Sequence, residues 1–165
     1  MTMKGKAHRF GDDVNTDYII SGRYKFKTLD MDELAKHAME DLDPDFYSKV
    51  DQGDFLVAGS NFGCGSSREQ APLALKHAGI NAVLADSFAR IYFRNSINNG
   101  VPALVVDTSQ IEEGDELEVD LEGGTVKDLT RDLELETKPL PKVMLDILSE
   151  GGLIDYVKKH GGLTV

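Results

Sequence analysis

The spacing of apolar and polar positions changes along the chain, and each change predicts a different element. Lys4 to Phe10 reads as an opening strand, closed by the turn residues Gly11-Asp12-Asp13. Met31, Leu34, Ala35, Ala38 and Leu42 recur on one helical face, with Asp30 and Glu33 as a cap signature before them and Asp43-Pro44 as a stop. Phe55 to Ala58 is a short apolar run, expected as a buried strand, that leads straight into a glycine-rich segment. After that segment Ala71, Ala74, Leu75 and Ala78 mark the inward side of a helix ending at Gly79. Ile80 to Ala85 predicts a strand, Phe88 to Ile97 a helix stopped by Asn99-Gly100, and Val101 to Val106 another strand.

Strand, helix, strand, helix, strand at these lengths argues for a parallel α/β core with right-handed crossovers. The second half alternates. Glu116 to Leu121, Thr125 to Leu129 and Leu133 to Glu136 exchange apolar and polar residues around Gly123-Gly124, a hairpin signal, so this portion is expected to be antiparallel. Pro141 can open a helix carrying Val143, Met144, Ile147 and Leu148 inward, closed by Gly151-Gly152, with a short terminal helix through Tyr156 and Val157. No repeat, low-complexity tract or Pro/Ser-rich linker divides the sequence, and one domain over residues 1–165 is expected.

Composition narrows the function. Twenty-nine acidic against 18 basic residues give a net charge of -11, a field that repels duplex nucleic acid and anionic membrane surfaces. No apolar run approaches the roughly 20 residues that cross a bilayer, and the first residues lack the apolar centre of a signal peptide, so a soluble, cytoplasmic protein is expected. Cys64 is the only cysteine, which excludes an internal disulfide and any thiolate-held zinc or iron–sulfur site built by this chain alone. His8, His37, His77 and His160 match no metal-ligand spacing.

Candidate chemistry concentrates in Gly59 to Gln70, which reads Gly-Ser-Asn-Phe-Gly-Cys-Gly-Ser-Ser-Arg-Glu-Gln. Glycines at 59, 63 and 65 allow close backbone approach to a ligand, and a helix opening beyond them favours an anion. Ser67 with Gln70 fits a capping box, which leaves the Ser66 hydroxyl unspent, and Arg68 offers a planar fork for a carboxylate or phosphate. Pro72 conflicts with a cap at Ser67, so the helix either starts later or kinks. A plain glycine-rich turn with a capping serine accounts for the same residues. The segment matches neither the phosphate-loop nor the dinucleotide pattern.

Asn15-Thr16-Asp17 reads as a turn or helix cap, or as a site where Asp17 orients a catalytic group. Arg90 and Arg94, at i and i+4, read first as solvated helix charge. Yet Arg23, Arg68, Arg90 and Arg94, four of the six arginines, fall in or near these stretches, which in so acidic a chain suggests a pocket for an anion. Cys64 reads as a small packed residue, having no adjacent histidine to activate it.

Taken together, Asn15-Thr16-Asp17-Tyr18-Ile19-Ile20, Gly63-Cys64-Gly65-Ser66-Ser67-Arg68-Glu69 and Ser87-Phe88-Ala89-Arg90-Ile91 resemble, in this order, the small subunits of the 3-isopropylmalate dehydratase family, the swivelling domain of the aconitase superfamily. The resemblance implies an α/β fold of the swivelling β/β/α type that closes over a large subunit carrying a [4Fe–4S] cluster, with no cofactor on this chain. It implies a hydro-lyase that dehydrates a hydroxy dicarboxylate or tricarboxylate and rehydrates it on the neighbouring carbon. Ser66 then matches the base, Asp17 the aspartate of the Thr-Asp motif, Ser67 and Arg68 the substrate-binding pair, and Arg23 a basic position of the family. Tyr24-Lys25-Phe26-Lys27 falls where the family borders the substrate's variable group. Phe26 facing inward would suit a branched alkyl malate, so isopropylmalate is expected, with dimethylmalate or, through Lys25 or Lys27, homoaconitate as alternatives. Gln70 departs from the histidine of many relatives, and Ile20 from the substrate-binding serine of aconitases. A non-catalytic carboxylate-binding module would use the same loop without Ser66 as a base.

Overall fold

The computed structural model describes residues 2–22, 30–66 and 68–161. A seven-stranded mixed sheet organises the molecule. Its strands are β1 (Thr2–Arg9), β2 (Asp54–Ala58), β3 (Ile80–Ala85), β4 (Ala103–Val105), β5 (Glu116–Asp120), β6 (Thr125–Asp128) and β7 (Leu133–Glu136). The spatial order is β4-β3-β2-β1-β5-β6-β7. β1 is the pivot: it pairs parallel with β2 on one side and antiparallel with β5 on the other. The β2–β3 and β3–β4 pairs are parallel and the β5–β6 and β6–β7 pairs antiparallel, so the predicted division into a parallel core and an antiparallel C-terminal portion is observed.

Burial follows from which sheet faces are covered. Every residue of β2 is buried, whereas β5 alternates, with Leu117 and Val119 inward. Side chains alternate across the pleat, and two cores result. Leu56, Ala58, Val83 and Ala85 join the helical layer with Leu34, Phe46, Phe62, Leu75 and Tyr92. Phe55, Val57, Ala82 and Leu84 join Leu104, Leu117, Val119 and Val126 on the opposite face. A third cluster gathers Ile97, Ala103, Ile147 and Tyr156 under the C-terminal helices.

The helices are α1 (Thr16–Ile19), α2 (Met31–Ala35), α3 (Phe46–Lys49), α4 (Gln70–Ala78), α5 (Arg90–Asn98), α6 (Lys142–Ser149) and α7 (Leu153–His160). The helix expected from Asp30 starts there, with the Asp30 side chain accepting from the Asp32 amide. It does not run on to Leu42. Met39 is fully buried at φ 58° and its N–H donates to the Ile19 carbonyl at 2.8 Å, so tertiary contact turns the chain and leaves Leu42 exposed. α3 had no clear periodic signal and forms because Phe46 plugs the core. Pairing also trims the strand expected over Val101 to Val106 to Ala103–Val105.

The start of α4 resolves the Pro72 conflict. The helix begins at Gln70 with Glu69 in the N-cap position, not with a cap at Ser67. Pro72 thus lies in the first turn, where an N–H has no helical acceptor, and removes no hydrogen bond.

Candidate functional site

The carboxyl ends of β1, β2 and β3 lie side by side, and the three chains continue together beyond them. Phe10 N–H donates to Val57 O (2.7 Å), Asp13 N–H to Ser60 O (2.8 Å), Gly63 N–H to Val14 O (2.8 Å) and Thr16 N–H to Cys64 O (2.9 Å). On the other side Phe62 N–H donates to Ser87 O (3.1 Å) and Ala89 N–H to Phe62 O (2.9 Å). The glycine-rich segment is therefore the middle of three loops, in the position where open α/β sheets place ligands.

Two glycines make this packing possible. At Gly63, φ is +83° and a Cβ would fall on the Tyr92 ring, so the loop lies flat on that ring. At Gly65, φ is +92° and a Cβ would stand 2.7 Å from the Asn15 amide. Asn15 in turn caps α1 by accepting from Asp17 N–H at 2.9 Å, so the Asn-Thr-Asp triplet is a helix cap that also holds the loop.

Ser66 follows directly. Its carbonyl accepts from the Thr16 hydroxyl at 2.7 Å, which anchors its backbone, and the residue is exposed. Ser66 lines a cleft of about 300 Å³ together with Thr16, Arg68, Arg90, Tyr92 and Asn95. Arg68 is largely covered: it pairs with Asp17, donates from Nη1 to the Ile20 carbonyl at 3.2 Å, and stacks over Gly22, where a Cβ would stand 3.4 Å from Nη2. Asp17, Ser66 and Arg68 are thus brought together. Arg23, Phe26 and Ser67 lie outside the described residues.

Of the helix arginines, Arg90 lines the cleft, while Arg94 lines a neighbouring apolar groove with Phe93, Ile97, Met144 and Ile147. Tyr92 carries no message in the sequence, because its role depends on a contact with Gly63. It is buried against Phe62 and Phe88, and burial raises its phenol well above the ordinary value. Cys64 is half-buried in the bridge to Asn15, as a packed residue would be. Ile20 is buried, its side chain in the core, and contributes only its carbonyl, to Arg68.

A larger, shallower depression of about 450 Å³ lies elsewhere, lined by Asp86, Asp107, Glu136 and Lys138. Its excess of carboxylates disfavours an anion, whereas the smaller cleft carries two arginines. Among the described residues no group of three or more His, Cys, Asp or Glu converges as metal ligands would, and the sequence has a single cysteine. The chain's own residues do not fit an iron–sulfur cluster, which needs three or four thiolates.

Residues 17–109 match the model of the aconitase C-terminal domain. Over its full length the chain is 59% identical to 3-isopropylmalate dehydratase small subunit 2 of Archaeoglobus fulgidus, covering 100% of both. It is 51% identical over 157 residues to the methanogen homoaconitase small subunit of Methanothermobacter thermautotrophicus, covering 95% of this chain and 91% of that one. The crystal structure of a 3-isopropylmalate dehydratase from Methanocaldococcus jannaschii superposes with a TM-score of 0.94 at 46% identity, covering 98% of this chain and 96% of the other. With full-length identity, a matching domain model and the same fold, the chain belongs to the family of 3-isopropylmalate dehydratase small subunits, the aconitase-type swivelling domains.

Proposed function

We propose that the chain, as one swivelling domain, is the small subunit of a heteromeric hydro-lyase that interconverts 2-isopropylmalate and 3-isopropylmalate by dehydration and rehydration in leucine biosynthesis. The reading places it in the cytoplasm, without nucleic acid or membrane as partner. The observation that carries it is the convergence of Ser66, Arg68 and Arg90 on one cleft at the carboxyl ends of the parallel strands. The [4Fe–4S] cluster belongs on the large subunit in this reading, because the single cysteine here cannot supply the three or four thiolates a cluster needs.

In this reading the Ser66 oxygen takes the carbon-bound proton of the substrate. A serine hydroxyl is a very weak acid, so its alkoxide needs cations and dipoles around it, which arginines in a closed cleft supply. Arg68 binds a substrate carboxylate, and Asp17 holds the Arg68 guanidinium in place. Ser67 and Arg23 complete the polar lining and Phe26 the apolar wall, roles that rest on the family resemblance alone. Because a methanogen homoaconitase small subunit is 51% identical, homocitrate is the second substrate to weigh.

Co-expression with the large subunit, followed by kcat/KM for isopropylmalate, dimethylmalate and homocitrate, tests the reading. Isopropylmalate should lead, and the isolated chain should be silent. Ser66→Ala should lower kcat by roughly 10²- to 10⁴-fold while the heteromer still assembles. Activity in the isolated chain, a preference for homocitrate or near-normal turnover by Ser66→Ala would overturn the corresponding part.

A further inference from the structure

A hydroxy dicarboxylate brings two negative charges to a chain that already carries -11. Two arginines among the described residues line the cleft, and they are not equivalent. Arg68 is 16% exposed, its charge is offset by Asp17, and one of its donors is spent on the Ile20 carbonyl. Arg90 is exposed and has no ion-pair partner among the described residues. What is fixed is its backbone. Ala89 N–H donates to Phe62 O at 2.9 Å, and Tyr92, two residues on from Arg90, is locked between Phe62, Phe88 and the Gly63 backbone. The root of Arg90 is therefore held beside the Ser66 loop, while among the described residues its guanidinium has no hydrogen-bond partner and can present its donors to a ligand.

Solvated helix charge, the plain account of an exposed arginine, predicts equivalence between Arg90 and Arg94. The structure separates them: Arg90 faces both the cleft and the apolar groove, and Arg94 the groove alone. We infer that Arg90 binds the second carboxylate of the substrate, so that Arg68 and Arg90, from two different loops, each take one carboxylate while Ser66 meets the carbon between them. The inference rests on the dehydratase reading and assigns to the substrate a residue outside the Ser-Ser-Arg motif.

The test uses the assembled heteromer with Arg90→Gln, Arg90→Lys and, as a charge-matched control, Arg94→Gln. Size-exclusion chromatography checks assembly, and Arg90→Lys carries the comparison if Arg90→Gln does not assemble. Arg90→Gln should lower kcat/KM for isopropylmalate about 10- to 100-fold, mainly through KM, as for a lost charge-assisted pair. Arg90→Lys should recover part of the loss, and Arg94→Gln should stay within about twofold of wild type.

Calorimetry on the same heteromers with isopropylmalate and with its two monoamides reads the inference independently of turnover. One monoamide should bind wild type and Arg90→Gln equally, because it lacks the carboxylate that Arg90 holds, while the parent diacid weakens at least tenfold. Equal diacid affinity in wild type and Arg90→Gln, or an equal loss in Arg94→Gln, would overturn the role of Arg90. A wild-type heteromer that binds the diacid through Arg90 yet turns over none of the tested hydroxy acids would instead strike the dehydratase reading.

Discussion

The Asp17 carboxylate pairs with the Arg68 guanidinium across two loops that meet only because residues 10–16 run alongside residues 57–64. Arg68 is 16% exposed and Asp17 57%, so the pair is half in solvent and its Coulomb energy alone contributes little to stability. Its value is orientation. With the Ile20 carbonyl on Nη1 and Gly22 beneath the plane, Asp17 sets which edge of the fork faces the cleft.

Replacing that fork should therefore be costly even when the charge is kept. In the heteromer, Arg68→Lys should lower kcat/KM about 10- to 100-fold, because one ammonium cannot serve Ile20, Asp17 and a substrate carboxylate together. Asp17→Asn should cause a smaller loss, expressed chiefly in KM. Steady-state kinetics of the two variants checks this; an unaffected Arg68→Lys would take Arg68 out of the site.

Gly63 should tolerate no side chain. Gly63→Ala combines a left-handed backbone with a clash against the Tyr92 ring, and we expect it to destabilise the fold by roughly 2 kcal/mol or more. Gly11→Ala, where a Cβ meets nothing within 4 Å, should be neutral within about 0.5 kcal/mol. Urea titrations of the two variants give the comparison directly.

Buried Asp128 and Asp115 form a carboxyl pair on the antiparallel side of the sheet. Burial, with the Asp115 carboxyl beside it, pushes Asp128 up. Burial acts on Asp115 in the same direction, but hydrogen bonds from Asp128, the Glu112 amide and Arg131 outweigh it and hold Asp115 low. Asp128 is therefore the member of the pair that takes up a proton first as pH falls. A raised carboxyl contributes stability below its unfolded pKa and loses it as pH rises through the folded one. Asp128→Asn, which mimics the protonated form and can keep the Thr130 and Arg131 amide bonds, should be stabilising at neutral pH and near neutral in acid. Thermal unfolding from pH 4 to 8 would refute this if the variant were less stable throughout.

The opposite sign holds for Asp54. Its buried carboxylate accepts from Lys6 N–H and Asp51 N–H, both at 3.0 Å, and pairs with His8 at 2.8 Å. Burial raises it, but these bonds together hold it below the ordinary carboxylate value. Its contribution is present above the unfolded pKa and lost as pH falls through the folded one. Asp54→Ala should cost about 3 kcal/mol at pH 7 and flatten the acid limb of the stability curve, as unfolding against pH would show.

The chain's division was legible in the sequence because local pattern determines it. The apolar runs at Phe55 to Ala58 and, interrupted at Asn81, Ile80 to Ala85 read as strands of a parallel core, and alternation from Glu116 read as an antiparallel sheet. Gly79 and Asn99-Gly100 ended their helices where the backbone chemistry requires it. The glycine-rich loop also stood out, since its glycines and hydroxyls are adjacent in the chain. What needed the tertiary structure was everything carried by contact across the chain. Met39 turns left-handed because Ile19 holds its amide, which cut short a helix whose periodicity ran on to Leu42. Pro72 lost its conflict once the helix start was placed at Gln70. Asp17 reaching Arg68, Tyr92 lying under Gly63, and Arg90 sharing a cleft with Ser66 while Arg94 does not are relations between loops that the parallel strands bring side by side. Periodicity reports which face of an element is buried, but not which residue of another element will meet it there.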